Sequence, residues 1–543
     1  GNKGFKSGLT HFDRYKYAID KIQYYKVEKP LSQINYFLGS NRENIFGAQF
    51  AHNVKNRLNY GVNFHRVLST GVYNNIQARN GDFSLYGQFF SKNSRYVLGA
   101  EMIFTKLKAQ ENGGLLIDFI NQPEFVEPNK EFYEVNISNG LTQHKNLAFE
   151  ITNTYHFGFH TYDSVTDSLE VRRFHPSFSI NHSTGTQKNT YEYVDNNATD
   201  SLYGDFFQAV DSSFYRLYYH QIPNRVFFNY SGLKANRDSA QYYNFSLEFG
   251  AQHDNIELWQ NRKEFTTNNF HIYTVLRSNP LALKKWSYAI NTHYYLTGYN
   301  QNDWQFSANF GYNLDKFGVA TISGKIEQQE AAWIEQNYAS SSLNWAYNFD
   351  KKTHSLIAFD YQMTKQQFNF HAAYHRIGNL VYFDENSRPK QLQNTTSYWQ
   401  IYASKNLNFK ILHFDNFIGI QGNNNQDALR LPAVFLKSSL YIEGYIFKGN
   451  MLARLGADMR YNSSFEANAW NPIIGQFHIQ NNQRMHYTPV LDIFLSFKVK
   501  TLRIFAKANY VNEGWIKKNY YTALGYPDRG RTYAGGLVWR FFE

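Results

Sequence analysis

Residues 304–314 read Trp-Gln-Phe-Ser-Ala-Asn-Phe-Gly-Tyr-Asn-Leu, and this stretch decides how the chain folds. Apolar and aromatic residues alternate with small and amide residues, from Trp304 to Leu314. Successive side chains of a β-strand point to opposite faces, so this spacing places every apolar residue on one face. The sequence therefore predicts a strand with one apolar and one polar face.

The same alternation recurs along almost the whole chain. It is found in segments 58–65, 96–104, 243–252, 286–296, 368–374, 451–461, 491–500 and 502–510. No segment has the pattern of an amphipathic helix of three turns, and only residues 326–335 indicate a short helix, at a loop tip. The sequence therefore predicts an all-β protein.

The connections between these strands are of two kinds. Short polar turns occur at residues 55–57, 92–94, 315–316, 350–352 and 448–450, and long irregular stretches at 108–130, 160–170, 195–215, 379–392, 422–431, 466–484 and 514–530. Their rough alternation is typical of a transmembrane antiparallel up-and-down β-barrel with short periplasmic turns and long extracellular loops. Counting strands between the short turns gives about 24, within an expected range of about 18–24.

Composition excludes several other classes of protein. Aromatic residues make up 18% of the chain, although the mean hydropathy is −0.56. Disordered chains are poor in aromatic residues, and a helical membrane protein would need an apolar run of about 18 residues, which is missing. The chain contains no Cys, which excludes disulfides and thiol chemistry.

A soluble β-sandwich or propeller is the alternative way to bury apolar strand faces. Three features favour the membrane barrel instead. The polar faces are rich in amide and small residues, aromatic pairs such as Tyr294 and Tyr295 stand at strand ends, and the strands continue without a linker.

Segments near both ends of the chain carry a resemblance to a known family. These segments are Phe12–Tyr15, Ile22–Val27, Lys29–Ser40, Phe46–Phe50, Asn53–Val54, Gly71–Asn75, Glu111–Gly114, Gly525–Arg531 and Val538–Phe542. In their order and spacing they resemble the putative outer-membrane porins of the Bacteroidota. The resemblance implies a barrel in lipid of the bacterial outer membrane that allows passive diffusion of small solutes.

We expect two parts in the chain: an N-terminal periplasmic or lumen segment, 1–30, and a single transmembrane barrel, 31–543. A barrel of some 22–24 strands needs something in its lumen. Segment 1–30 and the stretches 108–130 and 195–215 are candidates to fold inward. Because only about 30 residues stand before the first expected strand in this sequence, and not a plug domain of about 100, we expect a barrel of another kind than a TonB-dependent transporter.

The polar faces of three late strands carry the candidate selectivity residues. If the apolar faces contact lipid, these side chains point into the lumen: Arg454, Asp458, Arg460, Asp492, Lys498, Arg503 and Lys507. Arg540 on the last strand is a further candidate. A wall with excess positive charge selects anions, in keeping with the net charge of +11, so we expect a mild anion preference. The alternative is a cross-strand ladder of salt bridges that only holds the wall together.

Motifs of catalysis are missing from the sequence. There is no Gly-x-Ser-x-Gly, P-loop or His-Glu-x-x-His motif, and we expect no enzyme activity, metal or cofactor. The positive charge forms no compact basic cluster, so nucleic acid is not an expected partner. The main prediction is a passive channel for small polar solutes; the alternative is a non-conducting barrel that acts as a scaffold for other envelope proteins.

Overall fold

The chain forms one closed antiparallel β-barrel. The computed structural model describes all residues except 1–3, 56, 119–128, 167–168, 199–211, 236–239, 243, 262, 280–281, 517–519 and 543. Within that part, 22 strands form one sheet, and each strand pairs with its neighbours in sequence. The first strand pairs with the last, with Leu31 opposite Phe542 and Ile34 opposite Trp539, which closes the sheet. The predicted up-and-down barrel is confirmed, and 22 lies within the expected range.

The barrel strands are labelled β1–β22 in chain order. Their bounds are β1 Leu31–Gly39, β2 Asn44–Val54, β3 Leu58–Ser69, β4 Ala78–Phe90, β5 Tyr96–Glu111, β6 Gly140–Thr166, β7 Leu169–Asp195, β8 Ser213–Tyr230, β9 Phe245–Gln260, β10 Lys263–Ser278 and β11 Trp286–Thr297. The second half comprises β12 Trp304–Asn313, β13 Val319–Gln329, β14 Lys352–Met363, β15 Phe368–Gly378, β16 Thr396–Phe409, β17 Leu412–Asn423, β18 Val434–Ile446, β19 Met451–Asn462, β20 Val490–Val499, β21 Leu502–Asn509 and β22 Thr532–Phe542.

The apolar faces of these strands point outward. Phe306 and Phe310 in β12 are 41% and 49% exposed, and Ile322 in β13 is 55% exposed. Residues between them face the lumen, where polar side chains such as Thr105 are fully buried. Moving one large apolar side chain from water into an apolar medium gains about 1.5–3 kcal/mol, so lipid stabilises this outer surface. The barrel thus has an apolar outer face and a polar inner face, the reverse of a soluble barrel and typical of a transmembrane one.

The two ends of the barrel differ, as the sequence predicted, although two connections were assigned wrongly: 160–170 lies in the hairpin of β6 and β7, and 350–351 ends the long connection 330–351. The start of β1, the end of β22 and most short turns lie at one end, for example the turns 410–411 between β16 and β17 and 500–501 between β20 and β21. The long connections, such as 330–351 and 463–489, lie at the other end. Longer loops mark the extracellular end of such barrels. The end with the short turns is called the turn end below. There, the hairpin of β6 and β7 extends beyond the last residue pair that β6 forms with β5, Tyr96 with Tyr155.

Small hairpins and short helices occupy the connections. The hairpins are Leu233–Ala235 with Ala240–Tyr242, Asn337–Ala339 with Asn344–Ala346, Val381–Phe383 with Pro389–Gln391, Ala469–Asn471 with Gln476–His478, and Tyr521–Ala523 with Tyr526–Pro527. In the described part of the chain, the helical segments are the α-helical turn Trp333–Gln336 and the 3-10 turns Lys130–Phe132, Asp315–Phe317 and Thr364–Gln366, with two further 3-10 turns, Asp13–Tyr15 and Ile19–Lys21, in the N-terminal segment. Among the described residues, no helix is long and apolar enough to cross a membrane.

The short helix expected in 326–335 differs from the observed one. Residues 326–329 continue strand β13, where Ile326 faces outward in step with Ile322. The helix is limited to the single turn Trp333–Gln336, in which the Glu335 side chain accepts a hydrogen bond from the backbone N–H of Ala332 at 2.7 Å. The alternation of apolar and polar residues therefore determines the structure of 326–329, although the composition of this stretch favours a helix.

Candidate functional site

The N-terminal segment lies against the inner wall of the barrel. Near the turn end, Ile22 packs with Tyr86 of β4 and Ile103 of β5, and all three side chains are buried. The hydroxyl of Tyr24 donates to the carboxylate of Glu101. Burial, and then this hydrogen bond, raise the pKa of Tyr24. These partners lie on the inner faces of β4 and β5, so this part of the segment lies inside the lumen.

Residues 5–9 of the same segment contact the extracellular half. The ring of Phe5 stacks on Tyr219 of β8 with centroids 5.2 Å apart. The backbone N–H of Trp333 donates to the carbonyl of Lys6 at 2.8 Å. At Gly8, φ is +92° and a Cβ would lie 2.5 Å from Cγ1 of Ile334. The segment and the loop of 330–351 are therefore closely fitted to one another.

An apolar core fills part of the lumen at this end. It joins the N-terminal segment, the inner faces of β7–β9 and four extracellular connections. Its members are Leu9, Tyr191, Tyr193, Ala198, Tyr215, Leu217, Tyr219, Ile256, Leu258, Trp333, Ile334, Tyr338, Trp345, Phe383, Ile473 and Ile474. Barrels of this size carry a plugged lumen in outer-membrane transporters. Here the extracellular loops and a short N-terminal segment supply the filling.

Hydrogen bonds join the extracellular loops to one another across the opening. The indole N–H of Trp470 donates to Glu111 at 3.1 Å, and the backbone N–H of Ile479 donates to the carbonyl of Phe383 at 2.9 Å. The hydroxyl of Tyr521 donates to Asp118 at 2.5 Å. Two stretches, 108–130 and 195–215, were expected to fold inward. Ala198 of the second stretch lies in the apolar core, whereas 119–128 and 199–211 lie outside the described residues.

The register places five of the seven candidate selectivity residues in ion pairs. In the centre, the buried Asp492 of β20 accepts from Lys507 at 3.0 Å and Arg460 at 3.5 Å. Its other oxygen accepts from the backbone N–H of Tyr510 at 2.9 Å. Asp458 lies opposite Asp492 and contacts Lys507 at 3.3 Å. This group resembles the cross-strand ladder considered as the alternative role.

Arg454 forms a separate pair nearer the turn end. Its guanidinium donates to Glu443 of β18 at 2.8 Å from Nε and lies over the ring of Tyr441, 4.4 Å from the centroid. Neutralisation by Glu443 leaves little net charge at this position. Arg454 therefore orders the wall more than it adds positive potential.

Lys498 and Arg503 form a basic pair on the inner wall. They are opposite each other on β20 and β21, beside the turn 500–501, and neither forms an ion pair with any described residue. Arg540 on β22 donates to the amide oxygen of Gln33 at 2.8 Å, which is uncharged. Three basic side chains thus lie on the inner wall at the periplasmic end.

A second polar network, on β13–β15, could not be predicted from the periodicity of single strands. Nε2 of His354 lies 3.0 Å from Nδ1 of His375, and the other ring nitrogen of His354 lies 3.1 Å from Glu327. His371 instead contacts Asp360 at 2.7 Å. These pairs lie across strands, so only the register could have revealed them.

Charged loop residues are also paired. Glu330 contacts Lys351 at 3.2 Å, and Glu335 contacts Lys352 at 2.7 Å. Lys6 donates to Gln329 at 2.6 Å, and burial, followed by the charge of Lys352, lowers the pKa of Lys6. In the described part of the chain, no group of three or more His, Asp or Glu side chains is arranged to hold a metal ion.

Solved structures with a similar fold include three receptors. The ferric-catecholate import receptor Fiu from E. coli K12 superposes with a TM-score of 0.61 and 10% identity, covering 96% of this chain and 82% of that chain. The ferric enterobactin receptor PfeA from Pseudomonas aeruginosa gives 0.65 and 10%, covering 94% and 81%. The ferric yersiniabactin uptake receptor FyuA from Yersinia pestis gives 0.63 and 11%, covering 96% and 81%. At these identities the likeness is one of fold alone.

Sequence comparison identifies the family. No curated protein matches the chain. The family model described as "Putative porin" matches residues 2–543, which is nearly the whole sequence. Together with the 22-stranded barrel, this match shows that the chain belongs to the "Putative porin" family of outer-membrane-type β-barrels.

Proposed function

We propose that this protein is a non-enzymatic channel of the bacterial outer membrane, through which small polar solutes diffuse passively. One observation carries the proposal: the inner wall from β14 to β22 remains accessible to solvent beside the filled region. The side chains of Asp360, Arg454 and Arg460 on this wall are 50%, 42% and 54% exposed. A solvated polar wall beside the apolar core supports a path for hydrated solutes along this side of the lumen.

The charge distribution on this wall supports a mild anion preference. Arg460 and Lys507 form ion pairs with Asp458 and Asp492, so the two positive and two negative charges largely cancel. Lys498 and Arg503 have no such partners among the described residues, and their field at the periplasmic end is uncompensated. Anions entering from the periplasm would therefore be favoured over cations.

Single-channel recording in planar bilayers tests this proposal. The wild-type protein is expected to show steady conductance and a reversal potential of anion-preferring sign under a salt gradient. The double variant Lys498→Glu/Arg503→Glu should shift that potential towards cations. Lys500→Glu, in the adjacent turn, has the same charge change per residue and should shift it much less. Cation preference of the wild type, or an equal shift in the control, would contradict the anion preference.

A second function, a non-conducting scaffold, is favoured by the loop contacts across the extracellular opening. Trp470 with Glu111 and Tyr521 with Asp118 hold loops from distant parts of the chain together. A barrel with its opening closed in this way could hold other envelope proteins on its surface. Silent bilayers, obtained with folded protein that migrates differently on gels before and after heating, would support this function instead.

A further inference from the structure

A cavity of about 900 Å³ lies inside the barrel between the N-terminal segment and the opposite wall. One side is formed by residues 5–21, and the other by the inner faces of β6–β9. Small-molecule sites in proteins commonly have volumes of roughly 300–1,000 Å³. The cavity is thus large enough for a solute of the size of one or two sugar rings.

Amide side chains form a patch on the wall of this cavity. Asn146, Asn189 and Tyr219 lie opposite one another on β6, β7 and β8, and Gln187 lies opposite Gln221 in the next row. The hydroxyl of Tyr219 donates to Gln221 at 2.5 Å. An amide offers both donors and an acceptor, so rows of amides complement a ligand that carries many hydroxyl groups.

Two buried polar atoms on this wall have no hydrogen-bond partner. His144 and Asn146 are 4% and 7% exposed, and both line the cavity. Nε2 of His144 and Oδ1 of Asn146 make no hydrogen bond within the described structure. Burial of an unpaired polar atom is costly, so such atoms usually meet a ligand or an ordered water. Their position in the cavity wall indicates that this wall is arranged to bind a polar ligand.

Uncharged polar groups form most of the polar surface of this cavity. Lys16 contacts Asp13 at 3.0 Å, and Asp20 and Lys21 are sequence neighbours of opposite sign. Lys6 donates to the uncharged amide of Gln329 at 2.6 Å. Hydroxyl and amide groups therefore supply most of the hydrogen bonds that a ligand in this cavity would form.

From this geometry we propose that the cavity is a binding site for an uncharged polyhydroxylated solute, a mono- or disaccharide, and the site rests on the proposed channel function. Sugar hydroxyls would bond to the amide rows and satisfy His144 and Asn146. The site would then retain neutral sugars within the lumen, beside the charged wall from β14 to β22.

Isothermal titration of the full-length protein tests the site. The protein is kept in a zwitterionic, sugar-free detergent, and glucose and maltose are the probes, with gluconate as the charged comparison. Saturable heat is expected for at least one of the neutral sugars and none for gluconate. Asn146→Leu should weaken binding about tenfold, the equivalent of one lost hydrogen bond. Asn291→Leu, on the inner wall of β11 away from the cavity, is the matched control.

A second variant covers the case in which Asn146→Leu does not fold. His144→Phe keeps the ring that packs on Phe12 and Tyr191 but removes Nε2, and it should also weaken binding. No saturable heat with wild type, or unchanged affinity in folded cavity variants, would mean that only water fills the cavity and would overturn the site. Conductance of the same preparations is measured separately. If the protein conducts but binds neither sugar, the proposed binding site is refuted and the proposed channel function stands.

Discussion

At the residue scale, Asp384 shows how one carboxylate orders an extracellular loop. It is buried in the connection between β15 and β16 and accepts hydrogen bonds from Lys390 at 2.9 Å and from the backbone N–H groups of Asn386 and Arg388 at 3.0 Å each. Burial alone would raise the pKa of Asp384, but these hydrogen bonds, with that of Lys390 the largest, hold the pKa below its ordinary value. The charged form is therefore the one that the folded loop stabilises.

A pH-dependent loop opening follows from that lowered pKa. The stabilisation is fully present above the ordinary Asp pKa of about 3.9 and is lost as the pH falls through the lowered value in the folded loop. Asp384→Asn should cost about 1–3 kcal/mol locally and remove this pH dependence. Hydrogen exchange of amides in 379–395 measures both effects. Asp427→Asn, at an exposed position of a neighbouring loop, should leave the exchange unchanged; equal exchange in wild type and Asp384→Asn would refute the role of this carboxylate.

The charged residues show what a sequence can and cannot reveal at this scale. Alternation places Arg454, Asp458 and Lys498 on the polar face of their strands, and the register sets them on the inner wall. Whether each charge is neutralised depends on the register of the neighbouring strand. Lys498 meets Arg503, whereas Arg454 meets Glu443, and no pattern within one strand distinguishes these cases. Their role in selectivity stays a prediction.

At the element scale, the fit of the N-terminal segment depends on Gly8. Its φ of +92° is strained for any residue with a Cβ, and that Cβ would lie 2.5 Å from Ile334. Gly8→Val should therefore displace residues 5–12 from the loop of 330–351 and widen the lumen, with a larger single-channel conductance than wild type. Gly449→Val is the control, since Gly449 has a φ of +88° but no atom within 4 Å of its Cβ position.

The control separates backbone strain from loss of the loop contact. Gly449 lies in the turn between β18 and β19, so its variant is strained without touching the lumen. Conductance of Gly8→Val equal to that of wild type, with both variants folded, would show that residues 5–12 do not restrict the path.

Element types could be predicted from the sequence because the barrel strands follow one periodic rule. Trp304–Asn313 has its apolar residues outward along its full length, as lipid requires. The hairpins within the loops were not foreseen, because strands of three residues, such as Asn337–Ala339, are too short to show a period. The apolar core was also missed, since Leu9 and Ile474 meet only through the three-dimensional path of the chain.

At the scale of the whole molecule, the barrel exists only if its first and last strands pair. A barrel abolishes the exposed sheet edges that would otherwise carry unpaired backbone groups in lipid. Here β1 pairs with β22 over nine residue pairs, from Leu31 with Phe542 to Gly39 with Ala534. Closure therefore joins the two ends of a 543-residue chain, and every intervening strand must be in register for it to form.

A disulfide across this seam tests the closure directly, since the chain contains no Cys of its own. Ile34 and Trp539 lie opposite each other, and directly opposed Cα atoms in antiparallel strands are about 4.5–5.5 Å apart, which a disulfide can span. Ile34→Cys/Trp539→Cys should therefore cross-link on oxidation, and the product should migrate differently on denaturing gels until a reductant is added. In Ile34→Cys/Ile504→Cys, β22 lies between the two cysteines, and two strand spacings of about 4.8 Å exceed the reach of a disulfide. Efficient cross-linking of that second pair, or none of the first in folded protein, would refute a seam between β1 and β22 and with it the 22-stranded closure.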